Sequence, residues 1–431
     1  MMKHRSKAVI ALSLAAALVW TAPAVALPQH AAAASATASV SVLSPQAQEY
    51  AAYLQEKYGV SVGASSTRGQ FADALNAIAA PEKAVVLSGD PSEPLKAIEA
   101  VALALKAADL EELAYTYPAT KAKTALAWVK LGWTSEQYAA DPAKLLAAAV
   151  NTGFLVSSYY PEIRNDATAS PSLAAVLLGK VLEAKGLYKR YIGYTTDADI
   201  LVKLGDAYRT SDIIQAPELR KVVDEALKQN LVTGYNLKDS RYDANFLDSL
   251  SIVYGHSDVK HALQLVGLLR SENIKAKVQF EPKTSAFIYL KEWGDPGESD
   301  LYEVVQIENG NYIEYAKEYD LALEFASEYD KDRFDRIILT YAKKNEDQQP
   351  GLIYGSWWQP LYYSLTELNN YKEIANNKIS AGKYYAQSFS LKEQSADVTE
   401  GFKKIDPSAN VVNYGFWVDE PFYNYLQGES K

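Results

Sequence analysis

Apolar residues recur at helical intervals through the first half of the chain. Residues 95–107 fit a helix rich in Ala and Leu. Asp141-Pro142-Ala143-Lys144 opens a second helix that Asn151-Thr152-Gly153 closes, and Ala169-Ser170-Pro171-Ser172 opens a third over 173–184. Helices also fit residues 45–58 and the runs behind Thr67-Arg68-Gly69-Gln70 and Pro118-Ala119-Thr120-Lys121. The period changes further on. Ala262, Leu263, Leu265, Val266 and Leu269 keep helical spacing, but Ile274, Ala276, Val278 and Phe280 alternate with Lys275, Lys277 and Gln279, as in a half-buried strand. A second strand fits 286–291. A third pair fits 302–307 and 312–315, hinged on Asn309-Gly310, the favoured dipeptide of a type I′ turn. One helix followed by consecutive antiparallel strands predicts an α+β domain.

Composition marks the same division. Nine of the 31 tyrosines precede Tyr191, and the other 22 lie from there on, whereas the first part is rich in alanine. We therefore expect a signal segment at 1–26, a flexible lead-in at 27–44, helical repeats at 45–190, an α+β domain at 215–345 and a Tyr/Trp-rich segment at 346–431. The signal segment rests on Lys3, Arg5 and Lys7, the apolar stretch 8–20 and the small-residue site Ala24-Val25-Ala26. That stretch is short of the ~20 apolar residues a spanning helix needs, so no membrane span is expected after cleavage. The net charge of −10 becomes −13 without the three basic leader residues, which opposes nucleic acid as a partner.

Thr67, Thr120 and Ser170 stand 53 and 50 residues apart, each at a helix start where its hydroxyl can cap free backbone N–H groups. Thr67 and Gln70 also fit a capping box. Arg68 and Lys121 set a cation beside two of these starts, where the helix dipole already favours anions. Residues 45–190 resemble an S-layer homology (SLH) trimer of Gram-positive surface proteins, whose repeats carry a Thr-Arg-Ala-Glu-like motif at the start of the second helix. Thr67-Arg68-Gly69-Gln70 and Thr120-Lys121-Ala122-Lys123 look like that motif, and residues 141–182 look like one whole repeat; the third motif has Pro171 where the basic residue would stand. The resemblance implies a secreted protein of the cell wall or cell surface. It also implies binding of a secondary cell wall polymer or peptidoglycan-linked glycan, with Thr67, Arg68, Thr120, Lys121 and Ser170 at the ligand.

Residues 249–291 resemble the core of transglutaminase-like proteins, in which a cysteine opens the helix and a following strand carries a histidine. Asp258 occupies the cysteine position and Ser285 or its neighbours the histidine position, and the chain has no cysteine at all. An aspartate caps a helix but performs no thiol acyl transfer, so the resemblance implies a non-catalytic domain. The expected fold class is thus multidomain: an all-α helical repeat module followed by an α+β transglutaminase-like domain. His256 and His261 are five apart with no third ligand of suitable spacing, and neither a metal nor a cofactor is expected.

The remaining lead is aromatic. Trp357 and Trp358 lie among tyrosines, and Trp417 lies in a second cluster, so the three form a candidate saccharide platform. The expected function is binding. The alternative is a secreted glycoside hydrolase using carboxylates of the C-terminal region, with Asp332, Asp335, Asp419 and Glu420 as candidates.

Overall fold

A computed structural model of the chain describes residues 43–63, 66–78, 84–341 and 361–429, which belong to one compact unit. Among the described residues the first part holds nine helices: α1 (Pro45–Tyr58), α2 (Arg68–Ile78), α3 (Ala97–Ala107), α4 (Glu112–Tyr115), α5 (Ala119–Leu126), α6 (Ser135–Ala139), α7 (Asp141–Asn151), α8 (Tyr160–Arg164) and α9 (Pro171–Ala184). Ser44 accepts the Ala47 N–H to cap α1, and Gly59, at φ 66°, closes it in the left-handed region where glycine carries no steric cost. Ser170 caps α9 by accepting the Leu173 N–H, with Pro171 at the first helical position. The alanines explain how the helices sit so close. Ala100, Ala104, Ala147, Ala148, Ala174 and Ala175 are all buried in one core, and a Cβ at Gly179 of α9 would run into the ring of Tyr50 on α1.

The chain then runs through β1 (Gly193–Tyr194), α10 (Ile200–Thr210), α11 (Pro217–Lys228), β2 (Gly234–Asp239), β3 (Ser251–His256), α12 (Val259–Ser271) and β4 (Ala276–Tyr289). It continues through β5 (Tyr302–Gln306), β6 (Tyr312–Phe325), α13 (Glu328–Tyr341), β7 (Tyr362–Ser364), β8 (Lys372–Ala381), β9 (Tyr384–Ser390), α14 (Ser395–Ile405), β10 (Val411–Val418) and α15 (Glu420–Leu426). Eight strands close on themselves in the order β4-β2-β9-β8-β10-β7-β3-β6 and back to β4, every pair antiparallel. The short strands β1 and β5 attach outside that circuit, to β4 and β6.

This barrel overturns the expected fold class of an all-α SLH-like repeat module followed by an α+β transglutaminase-like domain. Strands β7 to β10, from the Tyr/Trp-rich segment, complete a circuit that β2, β3, β4 and β6 begin. The two strands expected at 274–280 and 286–291 are one strand, β4. Pro282 interrupts the sequence pattern but not the strand. It falls in the stretch of β4 between the residues paired to β1 and those paired to β2, where no neighbour on that side needs its missing N–H.

The two faces of the barrel wall reverse the usual arrangement. Outward residues are apolar and covered by helices: Val278, Phe280, Leu321 and Leu323 pack with Leu265, Val266 and Leu269 of α12, while Tyr235, Leu237, Ala286 and Ala386 pack with Val223 and Leu227 of α11 and Phe402 of α14. Inward residues of β2, β4 and β6 alternate with these and are mostly polar. The register sets Lys277 opposite Glu324, Glu281 opposite Asp320 and Lys283 opposite Glu318. An eight-stranded barrel leaves an interior that side chains nearly fill, so these charges face one another instead of bulk water. Among the described residues no helix is long and apolar enough to cross a membrane.

Candidate functional site

Charged side chains from three strands form a layer inside the barrel: Lys238 of β2, Glu281 and Lys283 of β4, and Glu318 and Asp320 of β6, all buried. Asp320 is its centre. Its Oδ1 accepts Lys283 Nζ at 2.7 Å, and its Oδ2 accepts Lys238 Nζ at 2.8 Å and the Tyr363 hydroxyl at 2.9 Å. Lys238 also donates to Glu281, and Lys283 lies 3.6 Å from Glu318. Burial works to raise the Asp320 pKa, but the ammoniums of Lys238 and Lys283 outweigh it and hold the carboxyl well below the usual carboxylate range. Glu281 goes the other way, because its burial is not fully offset by Lys238 and the carboxylates Asp243 and Asp320 push it further up.

Two recesses flank this layer. One is a cavity of about 230 Å³ whose lining includes Lys238, Glu281, Tyr363, Lys378, Tyr385 and Phe416. The Tyr363 and Phe416 rings stack there at 4.3 Å between centroids. The other, of about 670 Å³, is lined by Glu314 and Glu318 of β6 together with Tyr208, His256, Asp258 and His261. The two histidine rings lie 4.2 Å apart, and His256 Nδ1 accepts the Asp258 backbone N–H at 2.9 Å. Among the described residues no group of three His, Cys, Asp or Glu side chains is placed to hold a metal ion.

Asp258 caps α12 by accepting the Lys260 N–H and pairs with the Lys260 ammonium at 3.0 Å. Burial raises its pKa, but these contacts win and the carboxyl titrates below its usual value. Ser285 points into the lumen, where its hydroxyl hydrogen-bonds Glu318 and Asn236, whereas α12 covers the outer face of the same wall. Asp258 and Ser285, the positions aligned with cysteine and histidine in the transglutaminase-like resemblance, therefore lie on opposite faces of that wall.

The five expected polymer-binding residues separate in space. Backbone bonds from Leu95 to Ser66, from Ala97 to Ala167 and from Ala169 to Leu95 tie three extended segments together, so α2, α3 and α9 all start at one place. Thr67 and Ser170 belong to this junction. Thr120 and Lys121 do not: they lie in the first turn of α5, which packs on α7, and Lys121 Nζ rests 4.2 Å from the centroid of the Tyr117 ring. The third start carries Lys96 instead. Its sequence, Lys96-Ala97-Ile98-Glu99, does not follow the 53- and 50-residue spacing that Thr67, Thr120 and Ser170 share.

Three of those residues already have internal roles. Thr67 and Gln70 form the expected capping box, with reciprocal bonds of 3.0 and 3.2 Å. Ser170 Oγ and N both donate to Glu162. Arg68 donates to both Glu99 oxygens through Nε and to the carbonyls of Ser88 and Asp90, which fastens the 88–90 loop onto α3. Beside it runs a groove of about 640 Å³ along α3 to the start of α7, lined in part by Lys96, Lys106, Trp133, Asp141 and Asp166.

Trp357 and Trp358 lie outside the described residues. Trp417, on the outward face of β10, is half-buried against the core beneath α12 and so offers no open platform. Of the carboxylate candidates, Asp419 precedes α15, where Glu420 is the first residue, and Asp332 lines a recess with Glu328, Lys331 and Glu367. Asp335, on α13, is buried; burial pushes its pKa up to about 6, the Tyr371 hydroxyl pulls it down and Asp332 adds to the rise.

The Asp335 shift has a stability consequence. A carboxyl whose folded pKa lies above its unfolded value contributes stability that is fully present below about pH 4 and is lost as pH rises through about 6. Asp335→Asn, neutral at every pH, is therefore expected to be more stable than the parent at pH 7 by on the order of 2–3 kcal/mol, with no gain at pH 4. Urea denaturation at both pH values checks this, and a gain of equal size at pH 4 refutes the electrostatic cause.

No protein-family model, curated protein or solved structure matches this chain. What the geometry defines is a helical module with one mixed-charge groove, joined to a barrel with a polar, partly hollow lumen.

Proposed function

We propose that the chain is an exported cell-envelope protein that binds acidic wall polymer, and that the polymer lies in the groove beside α3. The observation that carries this reading is a pair of cations. Lys96 and Lys106 are exposed on the groove, and among the described residues neither side-chain ammonium has an ion-pair or hydrogen-bond partner. Glu99 is neutralised by Arg68 and Asp141 has Lys144 at 4.0 Å, so the two lysines keep their charge for a ligand. Trp133, half-buried between them and α7, supplies a face on which a sugar ring can stack, and Asp166 can accept sugar hydroxyls. Export rests on the leader-like residues 1–26.

The test is co-sedimentation with purified Gram-positive cell walls. The double variant Lys96→Glu/Lys106→Glu is expected to lose about tenfold or more in affinity, and the parent's affinity to fall with salt, because both contacts are made to anions. Arg68 is not a suitable probe, since its loss releases the 88–90 loop. Unchanged retention of the double variant, or equal retention on walls stripped of their acidic polymer, overturns the proposal. The glycoside hydrolase reading has less support, because Asp335 is buried in a helix-covered region and Asp332 shares its recess with Lys331.

A further inference from the structure

The cavity above the ionic layer is not legible in the sequence, and its chemistry is independent of the wall-polymer reading. At about 230 Å³ it is smaller than the ~300–1,000 Å³ typical of drug-sized ligand sites. One side is apolar, formed by Phe246, Val253, Ala322 and Phe416. The other carries charge.

Three cations and three carboxylates line the cavity, and most of them cancel. Lys57 pairs with Asp248 at 2.6 Å and Lys238 pairs with Glu281. Lys378 and Asp243 are left, and they are held apart by one ring. The Lys378 ammonium lies 3.8 Å from the centroid of Tyr385, and among the described residues it has no ion pair or hydrogen bond. Asp243 accepts the hydroxyl of that same tyrosine at 2.7 Å, with no cation paired to it among the described residues. Burial pulls the Lys378 pKa down and Asp243 raises it, so the two groups sense one another across the cavity. Half-buried charges of opposite sign that stop short of pairing bear a desolvation cost that a ligand of complementary charges removes.

We propose that this cavity binds an apolar α-amino acid as its zwitterion, with the carboxylate on Lys378, the ammonium on Asp243 and the side chain against Phe416 and Val253. A simple anion meets Asp243 and a simple cation meets Lys378. Only a molecule carrying both charges close together satisfies the two, and an α-amino acid bears them on one carbon. The stacked pair of Tyr363 and Phe416 forms a wall that an apolar side chain covers.

Isothermal titration of the full chain with leucine, leucinamide and N-acetylleucine tests this. Leucine is expected to bind saturably. Leucinamide, lacking the carboxylate, and N-acetylleucine, lacking the ammonium, are each expected to bind at least about tenfold more weakly. In Lys378→Met, leucine should fall to the affinity of leucinamide, while leucinamide is unchanged. A variant that weakens both equally has damaged the site rather than removed a carboxylate contact, and refutes the assignment to Lys378. Absence of saturable leucine binding at millimolar concentration, or equal binding of either blocked analogue to the parent chain, overturns the proposal without recourse to a variant.

Discussion

Asp320→Asn is expected to destabilise the fold by about 3–5 kcal/mol, the cost of removing one partner from a buried ion pair and stranding the others. Lys238 and Lys283 both donate to this carboxylate and both are buried, so an amide in its place leaves two buried ammoniums with only Glu281 and Glu318 as anionic partners. The Tyr363 hydroxyl loses its charged acceptor as well. The pH dependence has a definite sign. Because the Asp320 pKa is held below its unfolded value, its contribution is present above about pH 4 and is lost as pH falls below that. Urea denaturation from pH 7 down to pH 3 should therefore show a flatter profile for Asp320→Asn than for the parent. A loss under about 1 kcal/mol at pH 7 would mean that the layer is hydrated and not a sealed ionic core.

A second loss of similar size is expected where the helical module meets the barrel. Glu324, inward-facing at the end of β6, accepts Lys189 at 2.8 Å, Lys277 at 3.0 Å and the Leu247 backbone N–H at 2.9 Å. Glu49 of α1 completes the cluster by pairing with both lysines. Burial pulls the Lys189 pKa down, and the carboxylates only partly restore it, so this ammonium depends on its partners. Glu324→Gln should cost about 3–5 kcal/mol, whereas Glu49→Gln, at a side chain 44% exposed, should cost about 1 kcal/mol or less. Chemical denaturation ranks the two, and proteolysis within residues 45–58 reports whether α1 loosens first. An equal cost for both substitutions would contradict the burial argument.

The helix at 259–271 and the alternation through 274–280 are present, because periods of 3.6 and 2 follow from backbone geometry and survive any packing. What the alternation does not contain is the side on which water lies. Lys277 and Gln279 read as the polar side of a half-buried strand in an α+β domain, whereas Lys277, Gln279, Glu281 and Lys283 are buried inside the barrel. Their partners Glu324, Asp320 and Glu318 sit roughly 40 residues downstream, and the strands that seal the circuit lie beyond residue 361. Likewise Thr67 and Ser170 are recognisable as helix caps because capping is local, while Lys96 becomes a member of the same junction only through backbone bonds to Ser66 and Ala167.

The helical first half, the strand period of the second, the caps at Ser170 and Asp258 and the lack of any thiol nucleophile are all legible in the amino-acid order. Each depends on residues within a few positions of one another, or on composition alone. Closure of the strands, the inward turn of their charged faces, the use of Arg68 on its own loop and the shared cavity of Lys378 and Asp243 arise only in the folded chain. Ring closure and charge pairing join residues far apart in the chain, and no local pattern carries that information.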